Sequence, residues 1–217
     1  AQNYSSVLWT HNGTGSLSDA NTLTPTYTPG NAETGQVILT LTVNGTGSCG
    51  DVDDSMILNI TPKPVVNAGA DAEVCQNSTI TLQGTASNYS YIEWTGGNGT
   101  FSDINDLNAS YTPGTGETGV ITLTLTAYGN GSCENVSDEM TLTITPAPTV
   151  FAGPDAEVCE DGAFELQGTA SNYNYVEWTG GTGTFSDVNS LNAVYTPGEN
   201  ETGVVVITLT AYGNGSC

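Results

Sequence analysis

Five cysteines, one histidine, one lysine and 23 acidic residues are the groups in this 217-residue chain that could do chemistry. His11 and Lys63 each occur once and arginine is absent, so a general base near neutral pH and a cationic clamp for an oxyanion both lack their usual residues. His11 reads as a solvated histidine in the turn after Trp9. Carboxylate pairs remain as acid and base, but glycoside cleavage needs two of them across one scissile bond, and no pair stands apart from its repeats. The expectation is that the chain has no catalytic residue and is not an enzyme.

The cysteines are regular. Cys49, Cys133 and Cys217 are 84 residues apart, and Cys75 and Cys159 keep the same interval. With no CxxC or His-Cys cluster to suggest zinc, cysteines in a chain so rich in Thr, Gly and Asn point to disulfides in an oxidising, extracellular compartment. Pairing Cys75 with Cys133 and Cys159 with Cys217 keeps each bond inside one repeat and is the preferred reading, leaving Cys49 to pair upstream. Cys75, however, follows the first strand of a repeat and Cys133 lies between the last two, at opposite ends of a sandwich. A bond between repeats, Cys75 with Cys217, answers that objection and staples each joint. Spacing alone leaves both open.

A third group is the recurrent Ser-Asp-x-Asn segment, carrying Asp19, Asp103 and Asn105, and Asp187 and Asn189. Asp and Asn two apart either cap a turn through side-chain-to-backbone hydrogen bonds or present oxygens to calcium. The turn is the preferred reading, because calcium loops gather more carboxylates. No other cofactor is expected.

The elements that must position these groups follow from the repeat. Trp9, Trp94 and Trp178 mark three copies, and between Cys75–Cys133 and Cys159–Cys217 about 40 of 59 positions are identical. A fixed period of this kind signals an array. Val120 to Ala127 alternates apolar residues with threonine, as does Met140 to Thr145, giving half-buried antiparallel strands. Gly-rich and Asn-rich turns punctuate them. Many short strands with regular turns predict an all-β, immunoglobulin-like β-sandwich of about 84 residues per module, repeated in an extended array. Trp9, Trp94 and Trp178 would anchor the cores.

The joints fall at Pro62-Lys63-Pro64 and Pro146-Ala147-Pro148, where proline ends one ladder before the next begins. The expected modules are 1–63, lacking its first strands, 64–147, complete, and 148–217, lacking its last strand. Asn3-Tyr4 aligns with Asn88-Tyr89, so the array is expected to continue outside these residues.

A net charge of −22 excludes nucleic acid as a partner and keeps exposed chains apart. No run approaches the ~20 apolar residues of a membrane-spanning helix.

The segment Ala152 to Cys159, with Trp178, Gly183 to Asp187, Tyr195-Thr196-Pro197 and Thr208 to Ala211, resembles the immunoglobulin-like or PKD-like repeats of very large Bacteroidota surface proteins. The resemblance implies export through the type IX secretion route and display at the cell surface, in gliding-motility adhesins, other adhesins or secreted enzymes. Asp54-Ser55-Met56 also looks like the short O-glycosylation signal of that phylum.

The expected function is the stalk or filament of a large adhesin, its partners being neighbouring repeats, surface glycans, or other copies in a filament. Two rivals stand beside it: a carbohydrate-binding array stacking sugars on Tyr89, Tyr91 and Tyr111, and spacer modules of a secreted hydrolase.

Overall fold

A computed structural model describes residues 4–159 and 161–217. Among the described residues every regular element is a strand, so no helix is long and apolar enough to cross a membrane. The chain is an all-β protein of immunoglobulin-like sandwich type. Its residues group into two compact units: residues up to Val65 with Ala86–Tyr91 and Ala127–Val136, and Val66–Thr85 with Ile92–Thr126 and Ser137–Cys217.

In the first unit, Tyr4–His11 pairs antiparallel with Gly35–Gly45, which pairs antiparallel with Val52–Ile60. Alternation sends Val37 and Leu39 inward from the central strand and turns Gln36 and Ile38 out. Trp9 takes the place in this sheet that Trp94 and Trp178 take elsewhere. Its backbone N–H donates to Ala20 O at 2.8 Å, as Trp94 N–H does to Ile104 O and Trp178 N–H to Val188 O.

Trp9 is nevertheless only half-buried, and its indole Nε1 has no hydrogen-bond partner. Trp94 and Trp178 are fully buried, their Nε1 atoms donating to Asp106 O at 3.0 Å and Ser190 O at 2.8 Å. Of the three expected core anchors Trp94 and Trp178 are buried, and Trp9 is half-buried among the described residues. The reason is local. Gly84 and Gly168 bring backbone so close to the indole that an added Cβ would lie 2.9 Å from its Cζ2, and the first copy has no such segment within these residues.

The second unit holds the fullest sandwich. Its larger sheet runs in the order Tyr89–Gly96, Gly119–Gly129, Val136–Thr145, Ala72–Cys75, and three of these strands also carry residues of the first unit. Leu123, Leu125 and Ala127, then Met140, Leu142 and Ile144, point inward on alternate positions, as the sequence pattern requires. Ala72–Cys75 adds in parallel, Leu142 facing Ala72 and Thr145 facing Cys75.

In the third copy Tyr173–Gly180 pairs with Ile207–Gly213. Leu166, Val176, Trp178, Ala193, Tyr195 and Leu209 form its core.

Candidate functional site

Three groups of polar side chains recur with the repeat. The first escaped the sequence reading. In each copy the segment Tyr-Thr-Pro-Gly-x-x-Glu-Thr-Gly folds back so that a glutamate six residues on meets the tyrosine hydroxyl. Tyr27 Oη donates to Glu33 Oε2 at 2.8 Å, Tyr111 Oη to Glu117 Oε2 at 2.8 Å, and Tyr195 Oη to Glu201 Oε2 at 2.6 Å. The same oxygens accept from the N–H groups of Gly30, Gly114 and Gly198, each at 2.8 Å. The other carboxylate oxygen accepts from the N–H of Thr14, Asn98 or Thr182. Each tyrosine oxygen in turn accepts from a glycine N–H: Gly15 at 3.1 Å, Gly99 at 2.9 Å, and Gly183 at 3.0 Å.

Electrostatics follow from this closed network. At Glu117 burial pushes the pKa up, but the N–H groups of Asn98 and Gly114 and the Tyr111 hydroxyl outweigh it and hold the carboxyl below its ordinary value. The Tyr195 hydroxyl, then the Gly198 and Thr182 N–H groups, hold Glu201 down at about 2. Burial, then the facing Glu117 carboxylate, push Tyr111 up to about 12. Both oxygens of each carboxylate are engaged and the phenols stay protonated, so the network locks two loops together. The signal was present in the sequence as the sixfold offset of Tyr and Glu in all three copies.

The Asp/Asn segments are turns. Asp103 Oδ1 accepts from Asn105 N–H at 2.8 Å and Asp187 Oδ1 from Asn189 N–H at 2.9 Å. The Asn105 and Asn189 amides reach back to Ile92 O at 2.5 Å and Val176 O at 2.6 Å, tying the turn to the tryptophan-bearing strand. Asp19 supplies its carbonyl to Thr22 N–H and Oγ1, both at 2.9 Å. Among the described residues no three His, Cys, Asp or Glu side chains gather as a metal cluster would need. His11 ends a strand, half-buried, its ring 5.0 Å from that of Tyr27; it is not the solvated turn residue expected.

The cysteines form the third group. Cys75 is bonded to Cys217, 142 residues away, with Cα atoms 4.8 Å apart, while Cys49, Cys133 and Cys159 are free. The preferred pairs Cys75–Cys133 and Cys159–Cys217 are therefore corrected, and the bond between repeats stands. The parallel strand places Cys75 opposite Thr145, at the end of the second copy, and the Gly-Asn-Gly-Ser-Cys loop of the third copy closes on the same residue, Cys217 Sγ lying 3.3 Å from Thr145 O.

One repeat earlier the seat recurs, with Cys133 Sγ 3.5 Å from Thr61 O and 3.7 Å from Pro62 O. Asn88 and Asn172, both in the left-handed region that asparagine tolerates, fasten each joint by donating to Lys63 O and Ala147 O at 3.2 Å.

Of the tyrosines considered for sugar stacking, Tyr111 is buried in the core and is withdrawn. Tyr91 is exposed and stacks on Tyr128 with centroids 4.1 Å apart, as Tyr175 stacks on Tyr212 at 4.3 Å.

No family model and no curated protein matches the chain. Among solved structures, the N-terminal eight Ig domains of Down Syndrome Cell Adhesion Molecule match at 9% identity and TM-score 0.47, over 95% of this chain and 37% of that one. Sidekick-1 immunoglobulin domains 1–5 match at 14% identity and TM-score 0.34, over 95% and 53%. Extracellular domains 3–5 of Drosophila OTK match at 8% and TM-score 0.37, over 97% and 86%. The first two of these are chains of immunoglobulin domains.

Proposed function

We propose that this chain is a structural stalk or filament segment of a large cell-surface adhesin, exported and displayed outside the cell. It projects an adhesive region in the service of attachment or gliding motility, in the manner of the Bacteroidota repeats it resembles. It is not an enzyme, and it works through reach and mechanical continuity. The observation carrying this reading is the Cys75–Cys217 bond, which clips the strand Ala72–Cys75 of one repeat to the Gly-Asn-Gly-Ser-Cys loop of the next. A disulfide suits an oxidising compartment, and a covalent clip at a joint resists extension, which a catalytic or signalling module does not need.

Single-molecule pulling tests it. With the bond intact the 142 residues between the cysteines stay out of the extension, so reduction should lengthen the unfolded chain by about 500 Å, at ~3.5 Å per residue. Identical extension before and after reduction would show that the clip bears no force.

A second reading, glycan binding, is favoured by the exposed stacked pairs Tyr91–Tyr128 and Tyr175–Tyr212. Aromatic faces at a surface suit sugar rings. Titration of the chain with surface polysaccharides decides it: affinity lost in a Tyr91→Ala, Tyr175→Ala double variant supports binding, and no affinity in the parent removes it.

A further inference from the structure

Two pairs of tyrosines face each other across neighbouring strands at the surface. Tyr91 stacks on Tyr128 with ring centroids 4.1 Å apart and planes 11° from parallel, and Tyr175 stacks on Tyr212 at 4.3 Å and 10°. The ladder sets the second pair directly opposite, Tyr175 facing Tyr212 between Tyr173–Gly180 and Ile207–Gly213. Rings this close and this nearly parallel bring the carbons beside each hydroxyl into contact with the opposing ring.

These phenols are also within reach of solvent. Tyr91 is 50% exposed, Tyr175 46% and Tyr212 38%, and Tyr128 is half-buried. The lock tyrosines are the contrast, since Tyr111 and Tyr195 are buried and each hydroxyl is held between a glutamate and a glycine N–H. At Tyr212 a base is already in place, the phenol donating to Glu177 Oε2 at 2.9 Å. A phenol that loses an electron becomes strongly acidic, and a hydrogen-bonded carboxylate takes the proton in the same step.

The first copy carries other chemistry at this position. Its equivalents are Ser6 and Asn44, opposite each other in the ladder, with Asn44 Nδ2 donating to Ser6 Oγ at 2.7 Å. That pair joins the same two strands by a hydrogen bond and offers no phenol.

We propose that Tyr91 with Tyr128, and Tyr175 with Tyr212, are sites of oxidative coupling to dityrosine, driven by hydrogen peroxide through a haem peroxidase. The peroxidase takes one electron from each phenol as its proton leaves, giving two phenoxyl radicals. The radicals join through a new carbon–carbon bond beside the hydroxyls, and the hydrogen on each of those carbons moves to its oxygen by way of water, which restores both rings. Two tyrosines thus lose two hydrogens in all, and one hydrogen peroxide accepts two electrons and two protons and becomes two waters. The bond staples Tyr89–Gly96 to Gly119–Gly129 and Tyr173–Gly180 to Ile207–Gly213. Unlike the disulfide, it survives a reducing agent. Coupling requires no sugar, so it stands or falls apart from glycan binding by the same rings.

The test treats the full chain, its free thiols alkylated and Cys75–Cys217 intact, with hydrogen peroxide and a haem peroxidase. Expected are the blue fluorescence of dityrosine, a chain lighter by two hydrogens for each coupled pair and still single on a reducing gel, and peptides joining Tyr91 to Tyr128 and Tyr175 to Tyr212. Those peptides should exceed any link to the exposed Tyr4 by on the order of tenfold, because a stacked ring is held in place for the reaction. Tyr91→Phe keeps a ring in the stack and removes one phenol. It should lose the first link and keep the second, which serves as its control for folding, and Tyr91→Phe with Tyr175→Phe should lose both. An absence of dityrosine, links spread evenly over the exposed tyrosines or formed mainly between chains, or equal fluorescence from the double variant would each overturn the proposal.

Discussion

The second and third copies differ little in sequence and a good deal in order. Gly119–Gly129 is a strand of 11 residues, whereas its counterpart is a strand only from Ile207 to Gly213. The residues that drop out include Val204-Val205-Val206, which replace Val120-Ile121-Thr122 and have at least the same intrinsic preference for a strand. Among the described residues no strand stands beside them as Val136–Thr145 stands beside Gly119–Gly129. Without one Ile207 and Ala211 are half-buried where Leu123 and Ala127 are buried. A cleft of about 790 Å³ opens beside Trp178, Leu166 and Tyr195. In this fold a strand is made by its partner more than by its own composition.

In the first copy that strand is present, and among the described residues no segment closes on Trp9 as Gly84 does on Trp94. The two tryptophans should therefore carry unequal energies. Trp94→Ala should destabilise the second unit by about 3–5 kcal/mol, the usual result of emptying a large aromatic site. Trp9→Ala should lose less than half as much in urea unfolding. Equal losses would mean that burial of the indole does not distinguish the copies.

The disulfide gives the next largest effect. Cys75→Ser should cost about 2–4 kcal/mol, the usual range for a native cross-link. The loss should fall on Ala72–Cys75, whose amides should exchange as fast as those of 156–159, measured by hydrogen exchange. Continued protection at 72–75 would mean that the parallel ladder holds without the bond, and would sharpen the comparison to the neighbouring strand alone.

Gly84→Ala comes third. Its Cβ would lie 2.8 Å from Leu125 Cδ2 and 2.9 Å from Trp94 Cζ2, so overpacking should cost about 1–3 kcal/mol. Gly168→Ala meets the same atoms of Leu209 and Trp178, yet should cost less, because the cleft beside Trp178 lets the indole yield. Thermal unfolding of the two variants makes the comparison.

The sandwich was legible because its signals are local. Alternation in Val120–Ala127 and Met140–Thr145 fixes which side chains are buried, and the Asp103–Asn105 spacing fixes a turn. The cysteine pairing was not legible, because it depends on Ala72–Cys75 lying parallel to a strand about 70 residues later, which no local pattern encodes. Nor was the half-burial of Trp9, whose own strand is intact; what differs is that no described segment covers it as Gly84 and Gly168 cover Trp94 and Trp178. The Tyr–Glu lock has a signal, since Tyr27/Glu33, Tyr111/Glu117 and Tyr195/Glu201 keep one offset, but a polar pair in a turn leaves no mark on the apolar alternation that defines the strands.

That lock yields the smallest effect and a pH dependence of known sign. Glu201 is held at about 2 when folded and returns toward 4.5 when unfolded. A lowered folded value means its contribution is present above pH 4.5 and lost as the pH falls from there toward 2. Glu33 and Glu117 are lowered too and act in the same direction. On the alkaline side Tyr111, raised from 10 to about 12, contributes below pH 10 and is lost as the pH rises toward 12. Glu117→Gln and Glu201→Gln should each lower the urea midpoint at pH 6, and the gap from the parent chain should narrow at pH 3, where the parent carboxylates are losing their advantage. Glu117 is buried in the closed second copy and Glu201 borders the cleft of the third, so the gap should be wider for Glu117. Equal gaps would mean that the locks act alone, indifferent to whether the sheet beside them is complete.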